Sequence, residues 1–206
     1  EELGEFKKAI NAYEEAIKIH PNYLAAYHNL GVVFQKIRKH QKAINYFQKA
    51  IQIKSDHADT HYNLGTVFKE LGEFKKAINS YKMAIKYEPE NLVYIYSLSD
   101  LKKEVLDLNL KKKIYEIIKR KNSTKKNIAY GNFLLSKYEF KSKNYKKEFD
   151  YLLRGHHYYF ESRNTQFEPQ VKYWLNLLPN KEKLVKLNKF NNNENNGIRP
   201  IFIIGV

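Results

Sequence analysis

The sequence of 206 residues contains no cysteine and only one methionine and one tryptophan. The lack of cysteine excludes disulfide bonds and thiolate metal sites. No apolar run approaches the roughly 18 residues that a membrane span needs, and no basic-then-apolar leader opens the chain. Acidic residues are also scarce, 22 against 37 lysines and arginines, so the formal net charge is +15. We expect a cytoplasmic protein without a membrane segment.

The excess positive charge lies in the second half of the chain. Residues 1–90 hold 14 basic and 11 acidic residues, whereas residues 91–206 hold 23 and 11. Such a surface fits a polyanion, for example nucleic acid or a nucleotide, and it also fits a solvated protein face. We favour the solvated face, because the lysines are spread along helices and are not interleaved with exposed aromatic residues. Nucleic acid is therefore not an expected partner.

An internal repeat organises the first half of the chain. The segment ELGEFKKAIN occurs at residues 2–11 and again at residues 70–79, and the offset between the two copies, 70 minus 2, is twice 34. A middle copy lies halfway between them, and the aligned positions are Ala9, Ala43 and Ala77; Tyr13, Phe47 and Tyr81; Ala16, Ala50 and Ala84; Gly31 and Gly65. A 34-residue period with small residues at fixed positions resembles the tetratricopeptide repeat.

The resemblance covers residues 1–89 and implies antiparallel helix pairs that stack into a superhelix with a concave groove. Small residues are expected to be buried where two helices approach closely, and Pro21 and Pro89 mark the turns between units. The first unit lacks its opening helix, so we interpret the chain as a piece of a longer protein. The predicted fold class is all-α, a tetratricopeptide-repeat superhelix followed by one short terminal β-strand.

Beyond residue 89 the repeat pattern weakens. Residues 91–107 and 111–121 still predict a helix pair without the small residues, and residues 125–161 predict another pair. One more helix is predicted over residues 167–178, around Trp174, and the asparagine-rich residues 191–198 predict a polar linker. We therefore predict repeats at 1–89, a degenerate helical region at 90–190, the linker, and a strand at 199–206.

The predicted working surface is the concave groove, with a protein or peptide as its partner. The segments YHNLG and HYNLG place Asn29 and Asn63 at the same repeat position. An amide side chain both donates and accepts hydrogen bonds, so stacked asparagines could hold an extended peptide. The repeats are similar to those of O-GlcNAc transferase, whose asparagine ladder binds polypeptide. The ladder breaks at Ser97, and the alternative is that each asparagine only satisfies local contacts between helices. The predicted groove residues are Asn29, Asn63, His28, Tyr62, Gln35 and Lys69.

Catalytic motifs are nearly absent from the sequence. It contains no HExxH or GxSxG motif and no complete phosphate-binding glycine loop. His156 and His157 are adjacent, and adjacent residues on a helix point about 100° apart, which suits a single metal ion poorly. We therefore predict no catalytic, cofactor-binding or metal-binding residue in this chain.

The final segment, RPIFIIGV at residues 199–206, predicts a short, wholly apolar strand of the kind that begins a parallel α/β sheet. It resembles the first strand of the sulfotransferase domain in bacterial proteins that combine tetratricopeptide repeats with that domain. Residues 129–160 also look like the segment that precedes the domain in such proteins. The resemblance implies sulfuryl transfer from 3′-phosphoadenosine 5′-phosphosulfate to a hydroxyl, with protein tyrosine as a candidate acceptor, as in tyrosylprotein sulfotransferases.

Three functions stay open at this point. The first is the protein-binding repeat region of a sulfotransferase, in which case the chain itself is not catalytic. The second is a non-catalytic adaptor that binds peptides in its groove. The third is another P-loop enzyme, a kinase or NTPase, because these enzymes also run an apolar strand into a glycine loop. The sequence leaves the oligomeric state and the acceptor substrate open.

Overall fold

A computed structural model describes residues 2–163 of the chain, which lie in one compact unit. This part contains α-helices, one short 3₁₀-helix and no strand. The helices are α1 (Glu2–Ile19), α2 (Leu24–Lys36), α3 (His40–Ile53), α4 (Ala58–Glu70), α5 (Phe74–Tyr87), α6 (Leu92–Leu101), α7 (Leu108–Lys119), α8 (Lys125–Lys141) and α9 (Tyr145–Glu161), with the 3₁₀-helix at Lys103–Val105.

Three pairs of consecutive helices pack closely, α2 with α3, α4 with α5, and α8 with α9. Since only a few residues connect the two helices of each pair, they run antiparallel. Neighbouring pairs stack through α3 against α4, and α5 against α6. Apolar side chains of α2 to α6 form one continuous buried cluster, which includes Leu30, Phe47, Val67 and Leu98. The antiparallel all-helical fold predicted from the repeat is confirmed for the described residues.

Glycine on a first helix lets an aromatic ring of the second helix lie directly against its backbone. A Cβ atom at Gly31 would lie 2.5 Å from the Phe47 ring, and one at Gly65 would lie 2.7 Å from the Tyr81 ring. Four alanines at the equivalent contacts are fully buried, namely Ala43, Ala50, Ala77 and Ala84. These small residues set the close approach of the helices in each pair, as the repeat pattern predicts.

The turns inside three helix pairs share one backbone conformation. Arg38, Gly72 and Lys143 each adopt a positive φ, between 56° and 75°. The residue that follows each of them donates its amide hydrogen to a carbonyl of the preceding helix, as in the bond of 2.8 Å from Lys39 to Phe34. Arg38 and Gly72 are separated by one repeat period, so this left-handed helix end is part of the repeat.

The third unit departs from this arrangement. Helices α6 and α7 form where a pair was predicted, but they have little direct contact and both pack against α8. Lys111 and Ile118 occupy the positions of the small residues Ala77 and Ala84, and this added bulk prevents a close approach. The small residue is instead Gly131 of α8, where a Cβ atom would lie 2.3 Å from Ile118 and 3.0 Å from Leu92.

Several predictions concern residues outside the described part of the chain. They are the helix at residues 167–178 with Trp174, the polar linker at residues 191–198, and the strand at residues 199–206. The predicted division of the chain at residues 89 and 190 also stays a prediction.

Candidate functional site

The candidate site is the face formed by the first helix of each unit. Four rings stand there, each one repeat period after the last, and we call them the ring ladder: His28, Tyr62, Tyr96 and Tyr130. Each is half-buried, so part of every ring remains open to a ligand. The ladder therefore runs along α2, α4, α6 and α8 in the direction in which the units stack.

Ring contacts hold the ladder in place. Tyr62 stacks on the buried Tyr94 with ring centroids 5.0 Å apart, and Tyr96 meets Tyr130 edge to face at 5.3 Å. Phe133 of α8 extends the aromatic surface, since its ring lies 6.0 Å from that of Tyr96 and 5.8 Å from that of Tyr130. Rings packed in this way lose little conformational freedom when a ligand binds.

Hydrogen bonds between successive first helices also fix the surface. His28 Nδ1 lies 2.9 Å from Thr60 Oγ1, and its Nε2 lies 3.5 Å from the side-chain amide nitrogen of Asn63. Tyr62 accepts a hydrogen bond of 3.4 Å from Ser97. Partners about one repeat period apart in the sequence are thus brought together by the stacking of units, which gives the surface a defined shape before any ligand arrives.

The two asparagines predicted to form a ladder have different surroundings. Both are half-buried on the ring-ladder face. Asn63 has the long contact with His28, whereas Asn29 makes no side-chain hydrogen bond to another residue of the described part. Each amide therefore retains donor and acceptor capacity toward a peptide. Among the residues that the structure describes, only the amide nitrogen of Asn63 has a local contact of the kind considered as the alternative, and the binding of a peptide by the two asparagines stays a prediction.

The other two predicted groove residues take part in polar links. Gln35 donates a hydrogen bond of 3.0 Å to Glu70. The Lys69 ammonium lies 3.5 Å from Asp100. Both side chains are half-buried on first helices, so the structure places all six predicted residues on α2 and α4.

Sequence reasoning missed Lys137, which completes a charged group near Tyr96. Its ammonium lies 2.5 Å from Asp100 and 2.7 Å from the Ser99 hydroxyl, and 4.0 Å from the centroid of the Tyr96 ring. Asp100 therefore lies between the two ammonium groups of Lys69 and Lys137. The group carries one net positive charge, which favours an acidic or carboxylate-bearing ligand at this point of the face.

The adjacent histidines of α9 diverge, as their spacing predicts. The His156 ring packs against Phe133 at 5.0 Å between centroids, and burial lowers its pKa. The His157 ring is exposed and lies 3.4 Å from Glu161. Within the described residues, no three histidine or carboxylate side chains cluster as metal ligands would.

Lowering the pH should destabilise the fold through His28. Burial, and then the nearby His57, lower the pKa of His28 below its ordinary value of 6.5, and Asp59 only partly opposes this. Between the lowered value and 6.5 the unfolded chain binds more protons than the folded chain, so the free energy of unfolding falls as the pH falls through this range. Urea unfolding at a series of pH values measures the slope.

The His28→Asn variant should show a shallower slope than the wild-type chain, whatever its absolute stability. The matched control is His20→Asn, at an exposed position after α1, which should keep the wild-type slope. Equal slopes for His28→Asn and the wild-type chain would show that His28 does not carry the pH dependence.

Comparisons with known proteins identify the repeat class. A model described as TPR repeat matches residues 2–37, and a model described as tetratricopeptide repeat matches residues 24–57 and 58–91. A structure titled "Crystal structure of MamA" is 20% identical and has a TM-score of 0.52, covering 78% of this chain and 92% of that one. A second, titled "MamA RS-1 ArsTM double mutant", is 14% identical with a TM-score of 0.50, covering 78% and 88%. No curated protein matches the chain.

The fold is thus that of a tetratricopeptide-repeat protein, and residues 2–91 consist of such repeats. Repeats of this kind generally mediate contacts between proteins. Neither the family models nor these two structures support a relationship to sulfotransferases. Within residues 2–163, no helix combines the length and the apolar character that crossing a membrane requires.

Proposed function

We propose that the protein is a non-catalytic scaffold that binds an extended segment of a partner protein along the ring ladder. The observation that carries this proposal is the regular column of half-buried rings on successive first helices, with Asn29 and Asn63 beside it. A stacked array offers the same groups at each unit, so it suits a ligand that is itself a regular chain. An extended polypeptide is such a ligand.

The groups on the face match the chemistry of a polypeptide backbone. Each asparagine amide can donate to a peptide carbonyl and accept from a peptide N–H. The tyrosine rings supply apolar surface, and each hydroxyl adds a polar contact at low cost in side-chain entropy. The pair of lysines around Asp100 adds positive charge next to Tyr96. Together these features support binding of a peptide with an acidic residue or a carboxylate near Tyr96.

The proposal can be tested with a phage-displayed library of random peptides selected on the 206-residue chain. We expect the selected peptides to lose about tenfold or more in affinity for the Asn29→Ala/Asn63→Ala variant, because two hydrogen bonds of about 1 kcal/mol each are removed. Isothermal titration calorimetry with synthetic copies of the selected peptides measures this loss.

The chain supplies its own matched control. Asn45 and Asn79 are also one repeat period apart, but they are exposed on the second helices α3 and α5. The Asn45→Ala/Asn79→Ala variant should bind the selected peptides as the wild-type chain does. Equal losses in the two double variants, or no loss in either, would contradict binding along the ring ladder.

We propose as a second candidate that the scaffold serves a sulfotransferase that uses 3′-phosphoadenosine 5′-phosphosulfate. This candidate rests only on the sequence resemblance of residues 129–160 and 199–206. The parent reading frame tests it, since a Pro-Arg-Ser-Gly-Thr loop directly after Val206 would support a sulfotransferase. A Gly-Lys-Ser/Thr loop would instead support another P-loop enzyme, and a stop codon would leave the scaffold alone.

A further inference from the structure

A second concavity, which we call the α5–α7 cleft, lies between the second helices of two successive units. Its floor is Ile95 and Leu98 of α6, which are already buried, and the half-buried Ile85 of α5, Val105 and Leu110 line its sides. The volume is about 270 Å³, slightly below the about 300–1,000 Å³ of sites that hold whole small molecules. The cleft is therefore of the size that receives one or two large side chains.

The departure of the third unit from the repeat pattern explains the cleft. Helix α7 packs against α8 and has little contact with α6, so it does not cover α6 as α5 covers α4. The lining is also more apolar than in the preceding unit. Ile95 and Leu110 stand at the positions occupied there by His61 and Lys76.

Two lysines flank this apolar lining, Lys82 on α5 and Lys113 on α7. Neither ammonium group has an acidic partner among the described residues. The neighbouring basic residues Lys111 and Arg120 do have such partners, Glu139 and Glu90. The rim of the cleft thus carries positive charge that the described part of the chain does not neutralise.

We propose that the α5–α7 cleft binds an acidic segment of a partner protein that inserts a leucine or phenylalanine side chain between flanking carboxylates. The half-buried Ile85, Val105 and Leu110 would lose further contact with water when such a side chain covers them, and the carboxylates would pair with Lys82 and Lys113 at the rim. A nucleic acid would satisfy the lysines but would not cover these apolar side walls. This site is separate from the ring ladder and goes beyond the function proposed for that face.

The test uses a fluorescein-labelled peptide with Leu-Phe at its centre and two acidic residues on either side. Binding is followed by fluorescence anisotropy as the 206-residue chain is added. The salt concentration is about 0.15 M, which screens long-range electrostatic attraction. We expect saturable binding. A peptide with Ala-Ala at its centre should bind about tenfold more weakly or not at all, because it leaves the apolar side walls of the cleft exposed. Equal binding of the two peptides, or no saturable binding, would overturn the proposal.

Variants of the chain locate the site. Lys82→Glu/Lys113→Glu should weaken binding by about tenfold, because two attractions become repulsions. Lys49→Glu/Lys75→Glu, at exposed positions of α3 and α5, makes the same change in net charge and should have little effect. Equal weakening by the two double variants would show a diffuse charge effect and would overturn the proposal.

An uncharged variant tests the apolar part of the cleft. Val105→Phe narrows the cleft without changing the charge, and it should also weaken binding by about tenfold. Circular dichroism checks that each variant keeps the helical fold. The Asn29→Ala/Asn63→Ala variant should bind the acidic peptide as the wild-type chain does, and a loss of binding there would place the peptide on the ring ladder and overturn the proposal.

Discussion

Replacing Phe47 with alanine should lower the free energy of unfolding by about 3–5 kcal/mol, the usual cost of emptying a buried aromatic position. The Phe47 ring is 0% exposed and lies against the backbone of Gly31. A loss of this size is expected where the surrounding structure relaxes only partly and a cavity remains. Urea unfolding followed by circular dichroism measures the loss, provided that the slope against urea is unchanged.

A double-mutant cycle shows whether the contact with Gly31 is the cause. Gly31→Ala alone should cost about 1–3 kcal/mol, because the added methyl group would overlap the Phe47 ring. In the double variant Gly31→Ala/Phe47→Ala, the added methyl group enters the cavity left by the Phe47 ring. The double variant should therefore lose less stability than the sum of the losses in the two single variants. Gly4→Ala is the control, since a Cβ atom there meets nothing within 4 Å. Strictly additive losses would contradict the contact.

Replacing Lys111 with alanine should cost about 3 kcal/mol, because it leaves the buried carboxylate of Glu139 without its cation. The two charges lie 2.9 Å apart, and the Glu139 side chain is only 10% exposed. The Lys111 ammonium also lies 5.4 Å from the centroid of the Tyr138 ring, so the variant loses a cation–π contact as well. Thermal or urea unfolding measures the change.

Two further variants separate this pair from the general charge of α7. Lys112→Ala, at the neighbouring exposed position, should change stability by about 0.5 kcal/mol or less. Lys111→Ala/Glu139→Gln should recover part of the loss, because the buried charge is removed together with its partner. A double variant less stable than Lys111→Ala would show that Glu139 is stabilised by other groups.

The sequence predicted the first half of the fold well because repeat contacts are local. Each helix pair contacts the next through positions that recur once in every repeat period. The sequence alone therefore assigns Gly31, Ala43 and Phe47 to contacts between helices. The buried positions of these residues confirm that register. No long-range pairing had to be guessed.

The third unit could not be predicted in the same way. Hydrophobic periodicity shows that α6 and α7 each have an apolar face, but it does not show which helix covers that face. In the structure both helices pack against α8, through Gly131 and the buried cluster that contains Ile95, Ile114 and Leu134, and α6 also packs against α5. Which helix covers a given apolar face depends on how the side chains of α6, α7 and α8 fit together.

Half of the ring ladder was overlooked although the sequence carries the signal. Tyr96 and Tyr130 continue the repeat spacing of His28 and Tyr62. The asparagine column predicted from the sequence ends at Ser97, whereas the ring ladder continues through the next two units. The charged group around Asp100 carries a signal of the same kind, because Lys69 and Lys137 lie two repeat periods apart in the sequence.

The packing of α7 affects how cooperatively the helices unfold. In a linear array of repeats, folding propagates from unit to unit through the interfaces between neighbours, and the weakest interface limits how far it propagates. Helix α6 packs against both α5 and α8, whereas α7 packs mainly against α8. The main packing path between helices α2–α5 and helices α8 and α9 therefore runs through the 10 residues of α6. Because Ile114 and Ile117 of α7 belong to the buried cluster that α6 shares with α8, unfolding of α7 would weaken that path without removing it.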